Sequence, residues 1–349
     1  MSASYYYKGV IEGFYGRPWT FDQRIRLLDH MKVLGLNTFI YAPKSDIFHR
    51  KEWRTPYPSE NLNKFSRLIE HCRNLGINFV FCLSPGVDIK YSRVFDQEKL
   101  KEKFKSIKEI GADSFAILFD DISDQLMQED RNRFSSLAEA HKSLANCIYE
   151  ELKPAHFFVC PVYYSYERCA DREQLVNYIK EMGAGLNSDI NVFWTGNRTI
   201  SDKILPSHIK PVINMLGRRP VIWDNYFADD YSNQKIFLGP LYGRHPHLNK
   251  FLKGFFMNPS CFFEMASLQL YYVSEYFKNP LKYKPKAVYE KALFKMSGPK
   301  GLGILKALGD IYHAPFVSTA FYGQTYQNFK RGFRLSEIIS GKILKPQGN

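Results

Sequence analysis

Two adjacent carboxylates, Asp120 and Asp121, close the apolar run Ser-Phe-Ala-Ile-Leu-Phe that begins at Ser114. Such a run reads as a buried strand, so the pair stands where a strand opens into a loop. Two ionised carboxylates this close repel one another, and one pKa is expected to be pushed up. Opposed protonation states are what a general acid/base site uses. A helix N-cap or a solvated turn would also place aspartates here. The rest of the chain weighs for chemistry.

Apolar strands and amphipathic helices alternate with regularity. A strand over Tyr7–Tyr15 leads to a capping box, Thr20 with Gln23, and a helix with the apolar face Phe21, Ile25, Leu28 and Met31, stopped at Gly35. A strand at Thr38–Pro43 precedes a helix carrying Leu62, Phe65, Ile69, Cys72 and Leu75, ended by Gly76. Strand three is Asn78–Leu83, and its helix repeats Leu100, Phe104, Ile107 and Ile110 before Gly111. Strand four ends in the aspartate pair. A long helix is expected over Arg131–Leu152, then a strand at Phe157–Tyr164, a helix around Leu175–Met182, a strand at Ile190–Thr195 and a helix around Ile209–Leu216. Strand seven is Pro220–Asn225, strand eight Gly254–Asn258, and a final helix runs through Phe277. Eight strand–helix units, with most strands continuously apolar, predict an α/β fold, a closed (β/α)8 TIM barrel over residues 1–280. From Leu281 the pattern changes, and 281–349 is expected to form a helical C-terminal extension.

Barrel enzymes carry their chemistry at the C-terminal ends of the strands. Those ends are occupied here by Gly13 and Tyr15, Lys44, Asp120 and Asp121, Tyr164, then Trp223, Asn225 and Asp230, and finally Asn258. Carboxylates, amides, a lysine and aromatics converging on one mouth describe a pocket for a polar sugar. Singly, Lys44 could be a solvated loop charge, Trp223 a core residue and Asn258 a turn residue before Pro259; it is their conjunction that counts.

Other chemistries find less support. Gly13 and Gly16 lack the helix-opening context of a dinucleotide fingerprint, no nucleophile elbow is present, and no histidine stands at ligand spacing from the aspartates, so neither cofactor nor metal is expected. His245-Pro246-His247 reads as a loop. The chain of 349 residues is 45% hydrophobic and 16% aromatic, with a formal charge of +13. Its Lys and Arg are spread over most helices without a recognition motif, which argues against nucleic acid and for solubility with a mild attraction to acidic partners. Six cysteines occur without a C-x-x-C, and Cys72, Cys82, Cys147, Cys160 and Cys261 lie in apolar segments. With no leader-like N-terminus and no run long enough to span a bilayer, a cytoplasmic protein without membrane contact is expected, and the sequon Asn197-Arg198-Thr199 then carries no meaning.

The segments Gly9-Val-Ile-Glu-Gly-Phe-Tyr-Gly-Arg-Pro-Trp19, Tyr41-Ala-Pro-Lys44, Leu118-Phe-Asp-Asp-Ile122, Trp223-Asp-Asn225 with Asp230-Tyr231, and Asn258-Pro259 together resemble the catalytic domain of the protein O-GlcNAcases, glycoside hydrolase family 84, which also includes bacterial enzymes labelled hyaluronidases. The resemblance spans roughly residues 7 to 280, in order. It implies a (β/α)8 barrel and retaining hydrolysis of β-linked N-acetylglucosamine, in which the substrate's own 2-acetamido oxygen is the nucleophile. It further implies that Asp120 orients the acetamido N–H and that Asp121 protonates the leaving oxygen and then activates water. Tyr164 would hydrogen-bond the acetamido group, Trp223 and Cys160 would wall a pocket for its methyl, and Asn225 would support the carboxylates. Gly13, Lys44, Asp230 and Asn258 would hold the sugar hydroxyls. O-GlcNAc-modified proteins or free GlcNAc-containing glycans, such as chitin or hyaluronan fragments, are the implied substrates; a barrel that binds GlcNAc without cleaving it is the non-catalytic alternative. Two departures stand out. Val162-Tyr163 precedes Tyr164 where the family has Thr-Glu, and Lys44 is followed by Ser45-Asp46 where two acids are usual. The family's long helical stalk is also missing, which leaves oligomeric state and peptide recognition open.

Overall fold

In the computed structural model, residues 6–230 and 237–295 are described. Eight strands form a closed barrel in chain order: β1 Tyr7–Glu12, β2 Thr38–Tyr41, β3 Asn78–Leu83, β4 Ser114–Leu118, β5 His156–Cys160, β6 Ile190–Trp194, β7 Val221–Asp224 and β8 Gly254–Met257. Every neighbouring pair is parallel, and β8 closes on β1 with Tyr7 opposite Gly254 and Val10 opposite Met257. Helices α1 Phe21–Leu34, α2 Ser59–Leu75, α3 Val94–Glu109, α4 Leu137–Leu152, α5 Arg172–Gly185, α6 Pro206–Leu216 and α7 Phe263–Lys278 connect the strands or follow the last. This is the (β/α)8 barrel expected from the alternation, except that among the described residues the β7–β8 connection holds a 3-10 turn, Leu248–Lys250, and no α-helix.

The local signals explain the element ends. The Thr20 hydroxyl accepts from the Gln23 N–H and the Gln23 side chain from the Thr20 N–H, closing the capping box. Gly35 and Gly76 take φ of 72° and 68°, the left-handed caps that end α1 and α2. Two expectations are corrected. The strands are shorter than the apolar runs: β1 leaves the ladder after Glu12 and β5 after Cys160, so Gly13, Tyr15 and Tyr164 lie on loops at the mouth. Helix α4 starts at Leu137, where Ser136 caps the Glu139 N–H, and not at Arg131. Residues Gln128–Asn132 form a separate 3-10 turn because the buried Asp130 carboxylate accepts the Tyr91 and Ser92 N–H groups and is held there.

Two apolar layers follow from strands that are buried on both faces. Ile11, Ile40, Val80, Leu118, Phe158, Phe193 and Phe256 fill the barrel, with Trp223, Cys160 and Tyr164 at its upper end. The outer layer packs the helices on the sheet, with Phe39, Phe81, Phe104, Phe115 and Trp194 fully buried. Much of the aromatic content is therefore core. All six cysteines are free thiols. Of the expected C-terminal extension, residues 285–295 are helical and bury Ala292 and Leu293 in the outer layer; 296–349 lie outside the described residues. Among the described residues no helix is long and apolar enough to cross a membrane.

Candidate active site

A cavity of about 280 Å³ opens at the C-terminal mouth of the barrel, and all eleven candidate residues line it: Gly13, Tyr15, Lys44, Asp120, Asp121, Cys160, Tyr164, Trp223, Asn225, Asp230 and Asn258. Strand β4 delivers the two aspartates to different depths. Asp120 is 5% exposed, and its Oδ2 accepts from Lys44 Nζ at 2.5 Å, an ion pair in which both side chains are buried. Lys44 is thus no solvated loop charge, and among the described residues it is the aspartate, not an open cavity, that takes its ammonium. Asp120 Oδ1 is buried without a partner. An unpaired buried carboxylate oxygen is costly unless a donor arrives with the ligand.

Asp121 sits higher. Its Oδ1 accepts from the Tyr164 hydroxyl at 2.8 Å and its Oδ2 from the Tyr15 hydroxyl at 2.9 Å, with Arg168 Nη2 3.7 Å from Oδ1. The expectation of a raised pKa is corrected here. Burial pushes the carboxyl up, but the Lys44 charge, the two tyrosine hydroxyls and Arg168 outweigh it and hold Asp121 below its ordinary value. Burial and the adjacent aspartates push both tyrosines up, so their hydroxyls stay protonated donors.

The backbone at the pair is held as well. Asp121 has φ of 55°, a left-handed conformation costly for a non-glycine residue. Arg50, on the loop after β2, donates from Nη2 to the Asp121 carbonyl at 2.8 Å and from Nη1 to the Asp120 carbonyl at 3.5 Å and Ser84 Oγ at 3.1 Å. One rigid guanidinium thus spans three acceptors. Arg50 was not among the sequence candidates; its place within His49-Arg50, distant in sequence from the aspartates, carries no chemical signal.

The opposite wall comes from β1, β7 and β8. A Cβ on Gly13 would lie 2.3 Å from Trp223 Cζ2, so only glycine lets the indole lie against this backbone. Gly13 N–H donates to Asn258 Oδ1 at 3.2 Å, and Asn258 Nδ2 to Asn225 Oδ1 at 2.9 Å. Asn225 in turn donates to the Thr199 carbonyl at 2.9 Å. Its amide therefore braces the rim and Asn258, and its hydrogen bonds do not reach the carboxylates. Asp230 Oδ2 accepts the Tyr15 N–H at 2.7 Å, joining the loops after β7 and β1. Trp223 is almost fully buried, as a core residue would be, yet it lines the cavity, and its Nε1 has no partner. Lys44 Nζ lies 5.4 Å from its ring centre. Cys160 completes this side, its thiol pushed well above the ordinary range by burial and Asp120, hence neutral.

The departures fall outside the cavity wall. Tyr163 turns away, donating to Asp124 at 3.0 Å and accepting from Gln174 at 2.6 Å. Asp46 accepts from the hydroxyls of Tyr41 and Tyr57, each at 2.8 Å, and anchors the loop that carries Lys44. Arg168, Thr195, Thr199, Ile200 and Ala228 also line the cavity; they stand on loops beyond β5, β6 and β7, where no periodic pattern marks a residue as facing inward. Among the described residues no cluster of three or more His, Cys, Asp or Glu side chains is placed to hold a metal ion.

The sequence model of a family described as beta-N-acetylglucosaminidase matches residues 8–310. Protein O-GlcNAcase of Mus musculus is 39% identical over 272 residues, covering 78% of this chain, and that of Rattus norvegicus is equally similar. The chain spans about 30% of the length of these relatives. The solved structure of a Thermobaculum terrenum O-GlcNAc hydrolase mutant superposes with a TM-score of 0.84 at 32% identity, over 96% of this chain and 74% of that one. With a sequence match across the barrel and a shared fold, this chain belongs to the beta-N-acetylglucosaminidase family.

Proposed function

We propose that the chain is a retaining exo-β-N-acetylglucosaminidase that releases O-linked β-GlcNAc from Ser and Thr of glycoproteins by substrate-assisted catalysis. The observation that carries this reading is the state of Asp120: a buried carboxylate, ion-paired at one oxygen and unpartnered at the other, on the wall of a sugar-sized cavity. The acetamido N–H is the donor that would satisfy Oδ1. The Asp120 carboxylate, paired with Lys44, then stabilises positive charge developing on the amide nitrogen.

In the first step the acetamido oxygen attacks the anomeric carbon as the glycosidic C–O bond breaks, and Asp121 gives its proton to the leaving serine or threonine oxygen. The product is the oxazoline in its N-protonated form, an oxazolinium ion whose N–H stays hydrogen-bonded to Asp120. In the second, Asp121 takes a proton from water as its oxygen attacks the anomeric carbon and the ring reopens. Tyr164, whose hydroxyl donates to Asp121 in the free cavity, would pass that hydrogen bond to the acetamido oxygen when the sugar binds. Trp223 and Cys160 supply the apolar wall for the acetyl methyl, and Asp230 and Asn258 the acceptors and donors for sugar hydroxyls. A volume near the bottom of the usual ligand-pocket range of about 300–1,000 Å³ suits one terminal sugar.

Progressive fluorination of the acetyl group on a 4-methylumbelliferyl β-GlcNAc substrate tests the mechanism. Each fluorine weakens the attacking oxygen, so kcat/KM should fall steeply; a rate indifferent to fluorination, or a trapped glycosyl-aspartate, would refute it. Glycopeptide, chitobiose and hyaluronan fragments compared side by side test the substrate, and faster turnover of either free glycan than of glycopeptide overturns the protein assignment.

A further inference from the structure

The loop after β5 places at the cavity one cation whose only part so far is a distant charge on Asp121. Arg168 lines the cavity with its side chain 34% exposed. Its contacts are Asp121 Oδ1 at 3.7 Å, beyond hydrogen-bond reach, and the Tyr164 ring at 5.1 Å from the guanidinium carbon. The tyrosine hydroxyls are the hydrogen-bond donors to the two oxygens of Asp121, and at 3.7 Å the guanidinium of Arg168 is left with a long ion pair and no side-chain hydrogen bond among the described residues. The nearby arginines are engaged: Arg198 pairs with Glu167 at 3.3 Å, and Arg172 lies over the Tyr166 ring at 3.7 Å. Glu167, the closest rim carboxylate in sequence, also accepts the Thr199 N–H.

Accepting the activity proposed above, the leaving oxygen must come within hydrogen-bond reach of Asp121. The first atoms of the aglycone then pass the guanidinium. We propose that Arg168 forms a cationic subsite on the leaving-group side, selecting glycopeptides with an oxyanion, carboxylate or phosphate, beside the sugar-bearing serine or threonine. Arginine suits the task because its planar fork takes either oxyanion through two parallel hydrogen bonds. The chain's charge of +13 favours the approach of an acidic segment in the same direction.

The test is kcat/KM on O-GlcNAc peptides identical except for one residue beside the glycosylated serine: Asp, phosphoserine, Asn or Lys, on either side. The unaltered protein should prefer the anionic peptides over the Asn peptide by roughly two- to fivefold at low salt, the span of a partly exposed ion pair, and less at high salt. Arg168→Gln should bring that ratio to one, and Arg168→Lys should keep part of it. Because the readout is a ratio within one variant, a general loss of activity in Arg168→Gln does not affect it. The Asp and phosphoserine arms tell carboxylate from phosphate selection. A ratio of one in the unaltered protein, or an unchanged ratio in Arg168→Gln, overturns the subsite. No turnover of 4-methylumbelliferyl β-GlcNAc would instead overturn the activity on which it rests.

Discussion

Asp120 and Asp121 are neighbours in sequence but stand in different surroundings, and that difference assigns their work. Asp120 is buried against Lys44 with one oxygen vacant; Asp121 is half-buried, with both oxygens taken by tyrosines. An acid that assists only departure matters little when the aglycone leaves without a proton. Asp121→Ala should therefore be severely impaired on 4-methylumbelliferyl or peptide-linked GlcNAc, yet largely rescued on a very acidic phenol, where general-acid help worth roughly 10²–10⁴-fold is dispensable. Asp120→Asn should be slow on every substrate. The same leaving-group dependence in both variants would refute the assignment. The depressed pKa of Asp121 adds a sharper expectation. In the free cavity Lys44, Tyr164, Tyr15 and Arg168 favour its ionised form over the cost of burial. A bound sugar excludes water and draws the Tyr164 hydroxyl away, and both changes favour the protonated acid. The basic limb of kcat, which reports the complex, should then lie at higher pH than that of kcat/KM, which reports the free protein. Coincident limbs would show that binding leaves the acid unchanged.

At the scale of elements, the barrel was legible because strands buried on both faces read as short apolar runs and the helices between them carry caps. Thr20 with Gln23, Gly35 and Gly76 mark ends that the structure reproduces. The strand ends named the cavity-lining residues because a parallel barrel sends its C-terminal ends to one mouth. Less was legible where partners come from distant loops. Nothing in His49-Arg50 points to β4, and nothing near Asn225 indicates that its amide goes to Thr199 and Asn258. The raised pKa failed for the same reason: repulsion between neighbours is local in sequence, whereas Lys44, Tyr15 and Tyr164, which overrule it, are brought by β2, β1 and β5. Arg50 allows this coupling between elements to be measured. Its guanidinium holds the carbonyls of Asp120 and Asp121 while Asp121 is strained, without touching the cavity. Arg50→Lys keeps the charge but cannot span three acceptors. Since a misplacement of about 1 Å can cost 10²-fold, kcat should fall by up to that factor with KM nearly unchanged. A rise in KM at constant kcat would mean that Arg50 serves binding instead.

Across the whole molecule, two fully buried histidines that play no part in the site make the barrel sensitive to acid. His141 of α4 is fully buried, stacked on Phe119 at 3.9 Å, with Tyr91 and Tyr178 hydroxyls at 2.8 and 2.7 Å from its ring nitrogens. His49 is buried with Nδ1 2.8 Å from the Cys82 carbonyl and no partner at Nε2. Burial lowers both pKa values from 6.5 to about 3, and for His49 the Lys44 charge adds to it. Both are therefore neutral in the folded barrel. The sign follows from linkage. Between pH 6.5 and about 3 the unfolded chain binds a proton at each histidine that the folded chain refuses, so stability is complete above 6.5 and falls as pH drops through this window. By pH 5 the loss should reach about 2 kcal/mol for each histidine, at 1.36 kcal/mol per unit. The depressed carboxylates act lower, because their unfolded values are 3.8 for aspartates such as Asp96 beside Arg54 and 4.5 for glutamates such as Glu139. The growing positive charge of a chain already at +13 adds repulsion in every variant alike. Urea unfolding near pH 7 and near pH 5 should show the loss directly. His141→Gln should be less stable than the unaltered protein near pH 7, because the stacking on Phe119 is gone. Its further loss on going to pH 5 should be smaller by about 2 kcal/mol, since glutamine has no proton to bind. An equal loss in the two proteins would mean that His141 carries its proton in the folded state, with the tyrosine hydroxyls accepting from it.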